Sequence, residues 1–240
     1  MKTRRLPILV VIGAGLIAGC KDRPEPPRND RATLNERVIE GSAGTKVTAE
    51  IWVDNWFSMA INGQPLIEDS VAYETERSFN AERVTFHAEF PMTVAFEFRD
   101  FMENDTGLEY IGSSRQQIGD GGAIVQFIDA DTGATIAVTD AGWKCSVVHH
   151  APVNADCAGE DEPIVGEGSC AARISAAPEG WQDQDFDESG WTAATVHSTS
   201  EVRPKDGYDE IDWAADAKLI WSDDLKLDNI VLCRATIEAQ

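Results

Sequence analysis

Ile51-Trp52-Val53-Asp54-Asn55-Trp56-Phe57-Ser58-Met59-Ala60-Ile61-Asn62-Gly63 is the stretch whose reading decides the fold. Phe57, Met59 and Ile61 alternate with Trp56, Ser58 and Ala60, and a period of two is that of a strand with one buried face. Asn62-Gly63 follows at once. Both residues tolerate a positive φ, so the pair is the strongest short signal for a tight hairpin. A strand closed by such a turn needs a second sheet or a helix to cover its apolar face.

The same pattern recurs downstream. Val84, Phe86, Ala88 and Phe90 alternate, Pro91 interrupts, and Val94, Phe96 and Phe98 resume. Residues 123–128 form a more continuous apolar run, suited to a strand covered on both faces. Asp129-Ala130-Asp131-Thr132-Gly133 then reads as a turn into residues 134–139. A last strand pair is expected at residues 218–221 and 230–237, joined through Asp223, Asp224 and Asp228. Helical periodicity is absent after the first 20 residues, and no tandem repeat is visible. Many short strands separated by Gly, Pro, Asn and Asp predict an all-β chain, a single antiparallel β-sandwich or jelly roll over residues 42–240.

Two segments carry a likeness. Residues 53–63 resemble the opening strand and Asn-Gly turn of galactose-binding-like β-sandwiches. Pro178-Glu179-Gly180-Trp181, Phe186-Asp187-Glu188-Ser189-Gly190-Trp191, Ala217-Lys218-Leu219-Ile220-Trp221 and Asp228-Asn229-Ile230-Val231-Leu232-Cys233-Arg234 are similar, in that order, to the non-catalytic jelly-roll modules attached to glycosidases. The resemblance implies one domain over most of residues 47–238. Such modules bind sugars in some proteins and act as spacers in others, so the fold alone does not name a ligand.

The first residues give the address. Lys2, Arg4 and Arg5 precede a 14-residue apolar run over residues 6–19, the layout of a secretory signal and too short for a spanning helix. Leu16-Ile17-Ala18-Gly19-Cys20 resembles the lipobox of bacterial lipoproteins. The resemblance implies cleavage of residues 1–19 and acylation of Cys20, and several acyl chains on one residue give stable anchoring. Lys21, where an aspartate would retain the protein at the inner membrane, implies by the same resemblance the outer membrane of a Gram-negative bacterium. Residues 20–41, with Pro24, Pro26 and Pro27 among charged residues, read as an extended disordered tether.

Charge and cysteines agree with export. The formal charge is -22, and removing Lys2, Arg4 and Arg5 with the signal makes it -25. Such an acidic chain excludes nucleic acid and anionic head groups as natural partners. Cys145, Cys157, Cys170 and Cys233 remain after Cys20. An even number in an oxidising compartment reads as two disulfides with three connectivities. Cys157–Cys170 and Cys145–Cys233 are favoured: the first closes a loop rich in Gly, Glu, Asp and Pro that cannot pack a core, and the second ties a mid-chain strand to the last one. In the chain-entropy model they are worth about 3 and 4.6 kcal/mol.

Candidate site residues follow from chemistry. Arg115, Gln116, Gln117 and Asp120 lie in a polar glycine-rich loop and could orient a polyol or a carboxylate. Trp56, on the face opposite Phe57, and Trp213, in an acidic loop, could stack on sugar rings, whereas Trp181, Trp191 and Trp221 read as architectural. Asp100, Glu103, Asn104 and Asp105 offer the hard oxygens that calcium takes. Galactose-binding-like sandwiches often hold a structural calcium, and no other cofactor is expected. His149-His150 between Cys145 and Cys157 suggests zinc, but oxidised cysteines cannot supply thiolates. No nucleophile elbow and no His-Glu-x-x-His motif is present. The expected function is that of an exported, membrane-anchored, non-catalytic binding or accessory module, with a saccharide or an envelope protein as partner. The alternatives are a structural lipoprotein without a small ligand and, last, a hydrolase using acidic loops.

Overall fold

A computed structural model describes residues 34–75 and 79–238. These fall in the second of two units into which the chain divides, Ala32–Gln240. The signal segment, Cys20 and residues 20–33 of the expected tether lie outside the described residues. The remainder of that tether is not all linker, because β1 (Leu34–Val38) is a strand paired in parallel with β5 (Ala81–Ala88). The sheet therefore begins before the expected boundary at residue 42. Leu34 and Val38, the two apolar residues of an otherwise charged segment, are the first and last residues of that strand.

Strands are numbered in chain order. One sheet runs β1, β5, β2 (Thr45–Asp54), β9 (Gly122–Asp129), β15 (Leu219–Trp221), β14 (Thr195–His197), with β10 (Thr135–Val138) beside β9. The other runs β12 (Arg173–Ile174), β11 (Lys144–His150), β16 (Asp228–Ile237), β6 (Met92–Arg99), β3 (Trp56–Ile61), β4 (Gln64–Glu68), with β13 (Thr192–Ala193) beside β11. A small ribbon pairs β7 (Leu108–Glu109) with β8 (Gln117–Ile118). Apart from β1 with β5, the strand pairs among the described residues are antiparallel. Among the described residues the one α-helix, α1 (Thr199–Val202), is a single turn. Among the described residues no helix is long and apolar enough to cross a membrane.

The two sheets enclose one core. Val47, Ala49, Ile51 and Val53 of β2 face Phe57, Met59 and Ile61 of β3, with Phe86, Phe96, Phe98 and Phe127 filling the middle. Burying each of these larger side chains contributes about 1.5–3 kcal/mol. Asn62 and Gly63 both take positive φ and turn β3 into β4, as their sequence predicts.

The deciding stretch holds a feature that its pattern conceals. It is two strands in opposite sheets: β2 ends at Asp54, and β3 begins at Trp56. Odd-numbered residues point inward on both sides of the corner, so the alternation runs on unbroken. The expected last strand pair is corrected in the same way. β15 and β16 follow one another in sequence but lie in opposite sheets, so residues 222–227 cross the sandwich end and do not make a hairpin. The reason is burial: Ile220 and Trp221 of one strand and Val231 and Cys233 of the other meet across the core.

Irregular segments cover the outer faces. Residues 199–217 pack Val202, Ile211, Tyr208 and Trp213 onto Trp52, Ile124 and Leu219. Residues 178–191 pack Trp181, Phe186 and Trp191 onto Ala60, Ala95 and Leu232. Arg234, 1% exposed, pins that second flap: its guanidinium donates to the carbonyls of Trp181 and Asp183, ion-pairs with Glu188 and stacks on Phe186. Both favoured disulfides are present. Cys145–Cys233 joins directly paired residues of β11 and β16, and Cys157–Cys170 closes the acidic loop.

Candidate functional site

The corner between β2 and β3 lies at one end of the sandwich, and charged side chains gather there. Asp54 closes β2, and Asp100 follows β6. Glu109 sits on β7, Gln117 on β8, and Asp120 in the turn before β9. Lys205 and Arg203 come from the segment after α1. Lys205 Nζ lies 3.0 Å from Asp54 Oδ2 and 3.4 Å from Asp120 Oδ1, and Arg203 lies 2.9 Å from the other oxygen of Asp120. Gln117 donates to Glu109 at 2.6 Å.

Asp100 is the unusual member. It is 1% exposed, and neither carboxylate oxygen has a hydrogen-bond partner. Its backbone is held at both ends: the N–H donates to Asn229, and the carbonyl accepts from the Tyr73 hydroxyl at 3.0 Å. Gly119 lets the carboxylate lie close, because a Cβ there would sit 2.3 Å from Asp100 Oδ2.

Burial pushes the Asp54 carboxyl up to about 7, against the attraction of Lys205. Burial raises Asp100 well above the usual carboxylate range, and the charges of Asp54, Glu109 and Asp120 add to it. Burial also works against the charge on Lys205, but Asp54 and Asp120 outweigh it and raise that pKa. The corner thus combines fixed donors on Lys205 and Arg203 with acceptors on Asp120 and Glu109. At its floor is a carboxyl that can donate while protonated. Such a set can hold neighbouring hydroxyl groups.

The expected residues divide. Asp120 and Gln117 reach this corner, and Asp100 joins it from the proposed calcium set. Trp56 adjoins it through Tyr73 at 6.2 Å, but the Arg99 guanidinium covers its ring at 5.2 Å. Trp213 packs on Tyr208 and donates to its carbonyl at 3.0 Å, within the flap. Arg115 is exposed and stacks on Tyr110 at 4.4 Å; it makes no pair with Asp120, whose partners are Arg203 and Lys205. Gln116 latches the loop to the disulfide segment by donating to the carbonyls of Ala158 and Glu160.

The calcium set does not converge. Glu103 accepts from the N–H of Ile111, Asn104 caps its own turn at Thr106, and Asp105 lies 3.5 Å from His149. Among the described residues no three His, Cys, Asp or Glu side chains are arranged to hold a metal. Asp129 accepts from the N–H groups of Asp131 and Thr132, which makes that segment the turn its sequence suggests. His149 and His150 diverge: the first is buried beside Asn229, while the second pairs with Asp228 at 2.6 Å. With the four described cysteines oxidised, no zinc set of imidazole and thiolate remains among the described residues.

Asp54, Glu109, Arg203 and Lys205 were not singled out in the sequence. Asp54-Asn55 could have been: a polar pair interrupts an apolar run where the strand changes sheet. Comparison with protein-family models, with curated proteins and with solved structures finds no match for this chain.

Proposed function

We propose that the chain is an exported lipoprotein, anchored through Cys20 at the outer membrane, whose galactose-binding-like β-sandwich takes a saccharide at the corner without transforming it. The observation that carries the binding reading is Asp100, a buried carboxyl with no partner, set among Asp54, Glu109, Asp120 and Lys205. Buried polar groups are nearly always satisfied, and a carboxyl left without a partner beneath a charged cluster supports a ligand hydroxyl as the missing partner. The lipobox, the two disulfides and the acidic surface support export.

The non-catalytic reading is supported by Asp54. A hydrolase needs two carboxyls facing each other across an open cleft, and Asp54 is tied to Lys205 beneath the surface. The test is a glycan array probed with the full, detergent-solubilised chain, with and without calcium. Binding to a defined set of neutral glycans, reduced about tenfold or more in Asp120→Asn, is expected. Uniform absence of binding under both conditions would refute the saccharide reading and favour a structural envelope lipoprotein.

A further inference from the structure

A second constellation lies on the edge of the other sheet. A cavity of about 550 Å³, within the range of small-ligand sites, is lined by residues that include Val147, His150, Arg173, Ile174, Ser175 and Asp228. β12 is the edge strand there, and Arg173 lies directly opposite His150 on β11. His150 Nδ1 meets Asp228 Oδ1 at 2.6 Å, with both side chains largely buried. That bond fixes the imidazole and leaves Nε2 without a protein partner among the described residues. Asp228 is itself held, because its carbonyl accepts from the buried Trp221 indole.

Arg173 brings positive charge to a site whose lining carboxylate, Asp228, is engaged by His150. Arg37, Arg83, Arg99, Arg203 and Arg234 each pair with a carboxylate, whereas Arg173, like Arg115, has no such partner among the described residues. In a chain with 42 acidic residues and 20 basic ones, an unpaired guanidinium beside a fixed imidazole is a local exception. The planar fork of arginine matches a carboxylate through two parallel hydrogen bonds. The Ser175 hydroxyl adds a third donor, and Val147 and Ile174 supply apolar walls.

We infer that this cavity binds a small carboxylate ligand with an apolar body, its carboxylate on Arg173 and the Ser175 hydroxyl and its body against Val147 and Ile174. The site shares no lining residue with the acidic corner, and the inference does not rest on the saccharide reading. Two probes differing only in charge test it: benzoate and benzamide, titrated into the full chain by calorimetry. Benzoate should bind with a Kd in the millimolar range or below, and benzamide at least about tenfold more weakly. Arg173→Gln, at an exposed position, should lose the preference for benzoate while the thermal midpoint stays unchanged, and Ser175→Ala should weaken benzoate about two- to threefold. Equal binding of the two probes, unaltered benzoate binding in Arg173→Gln, or tighter binding of inorganic phosphate than of benzoate would each overturn the inference.

Discussion

Replacing Asp54 by asparagine should flatten the dependence of stability on pH. Asp54 is 1% exposed, and burial holds its carboxyl at about 7 against an ordinary 3.8. The folded state therefore keeps a proton that the unfolded state releases between those values. Stability rises as pH falls through that window, and the cost of the buried charge is fully present above pH 7. From pH 7.5 to 5.5, linkage makes Asp54 worth about 2 kcal/mol in favour of the lower pH. Asp69, also raised to about 7 by burial, acts in the same sense and by a similar amount. His149 opposes them. Burial lowers its pKa, so the unfolded state gains a proton first as pH falls through 6.5, and this removes at most about 1.4 kcal/mol between pH 7.5 and 5.5. With Asp54 and Asp69 contributing about 2 kcal/mol each, and buried Asp100 and Glu82 acting in the same sense, the wild-type protein should be more stable at pH 5.5 than at pH 7.5 by about 2.5 kcal/mol or more. In Asp54→Asn, whose amide cannot titrate, that gain should shrink by about 2 kcal/mol. Urea unfolding followed by tryptophan fluorescence at a series of pH values measures both. A variant whose stability keeps the full wild-type rise toward pH 5.5 would refute the assignment of the proton to Asp54.

Three further substitutions read different parts of the fold. Gly121→Ala places a Cβ 2.4 Å from the ring of the fully buried Trp221, and should cost about 1–3 kcal/mol in the urea midpoint; a neutral result would mean the ring can move. Arg234→Met keeps volume but leaves the carbonyls of Trp181 and Asp183 without their donor. A loss of about 2–4 kcal/mol is expected, with residues 178–191 becoming the first site of limited proteolysis; wild-type resistance to cleavage would exclude the pinning role. Asp100→Asn removes a buried carboxyl without a partner, and should stabilise the protein at pH 8 by about 1–3 kcal/mol while weakening glycan binding. A loss of stability at pH 8 would show that the carboxyl is structurally required.

Much of the sandwich was legible because burial on one face writes a period of two into the chain. Phe57, Met59 and Ile61, the Asn62-Gly63 turn, and the alternation through Val94, Phe96 and Phe98 all lie where that period puts them. Sheet membership was not legible. Val53 and Phe57 point into the same core from opposite sheets, and a corner at Asn55 that preserves parity leaves the alternation of buried residues unbroken. The disulfides were readable for a different reason. The Cys157–Cys170 segment has too little apolar content to fold without a link, and that leaves Cys145 and Cys233 as the remaining pair.

The site was harder to read because its parts come from six places along the chain, none of which is a motif alone. Aromatic side chains are the least distinctive in the sequence. Trp56 and Trp213 were singled out as stacking platforms, yet each ring is engaged by neighbours, Arg99 in one case and Tyr208 in the other. A sandwich this size has two outer faces to cover, and a chain with few helices covers them with irregular segments. Such segments need large side chains to grip a sheet, so tryptophans in loops serve here as anchors. Acidic residues carry the opposite lesson. Their abundance makes any one of them look like solvated surface, and most are. Asp54 and Asp100 differ because one ends β2 and the other directly follows β6 at the same end of the sandwich, and both carboxyls lie below the surface. An apolar pair at those positions would bury at lower cost. That two carboxyls stand there, one tied to a lysine and one left open, is what separates this corner from the rest of an acidic surface.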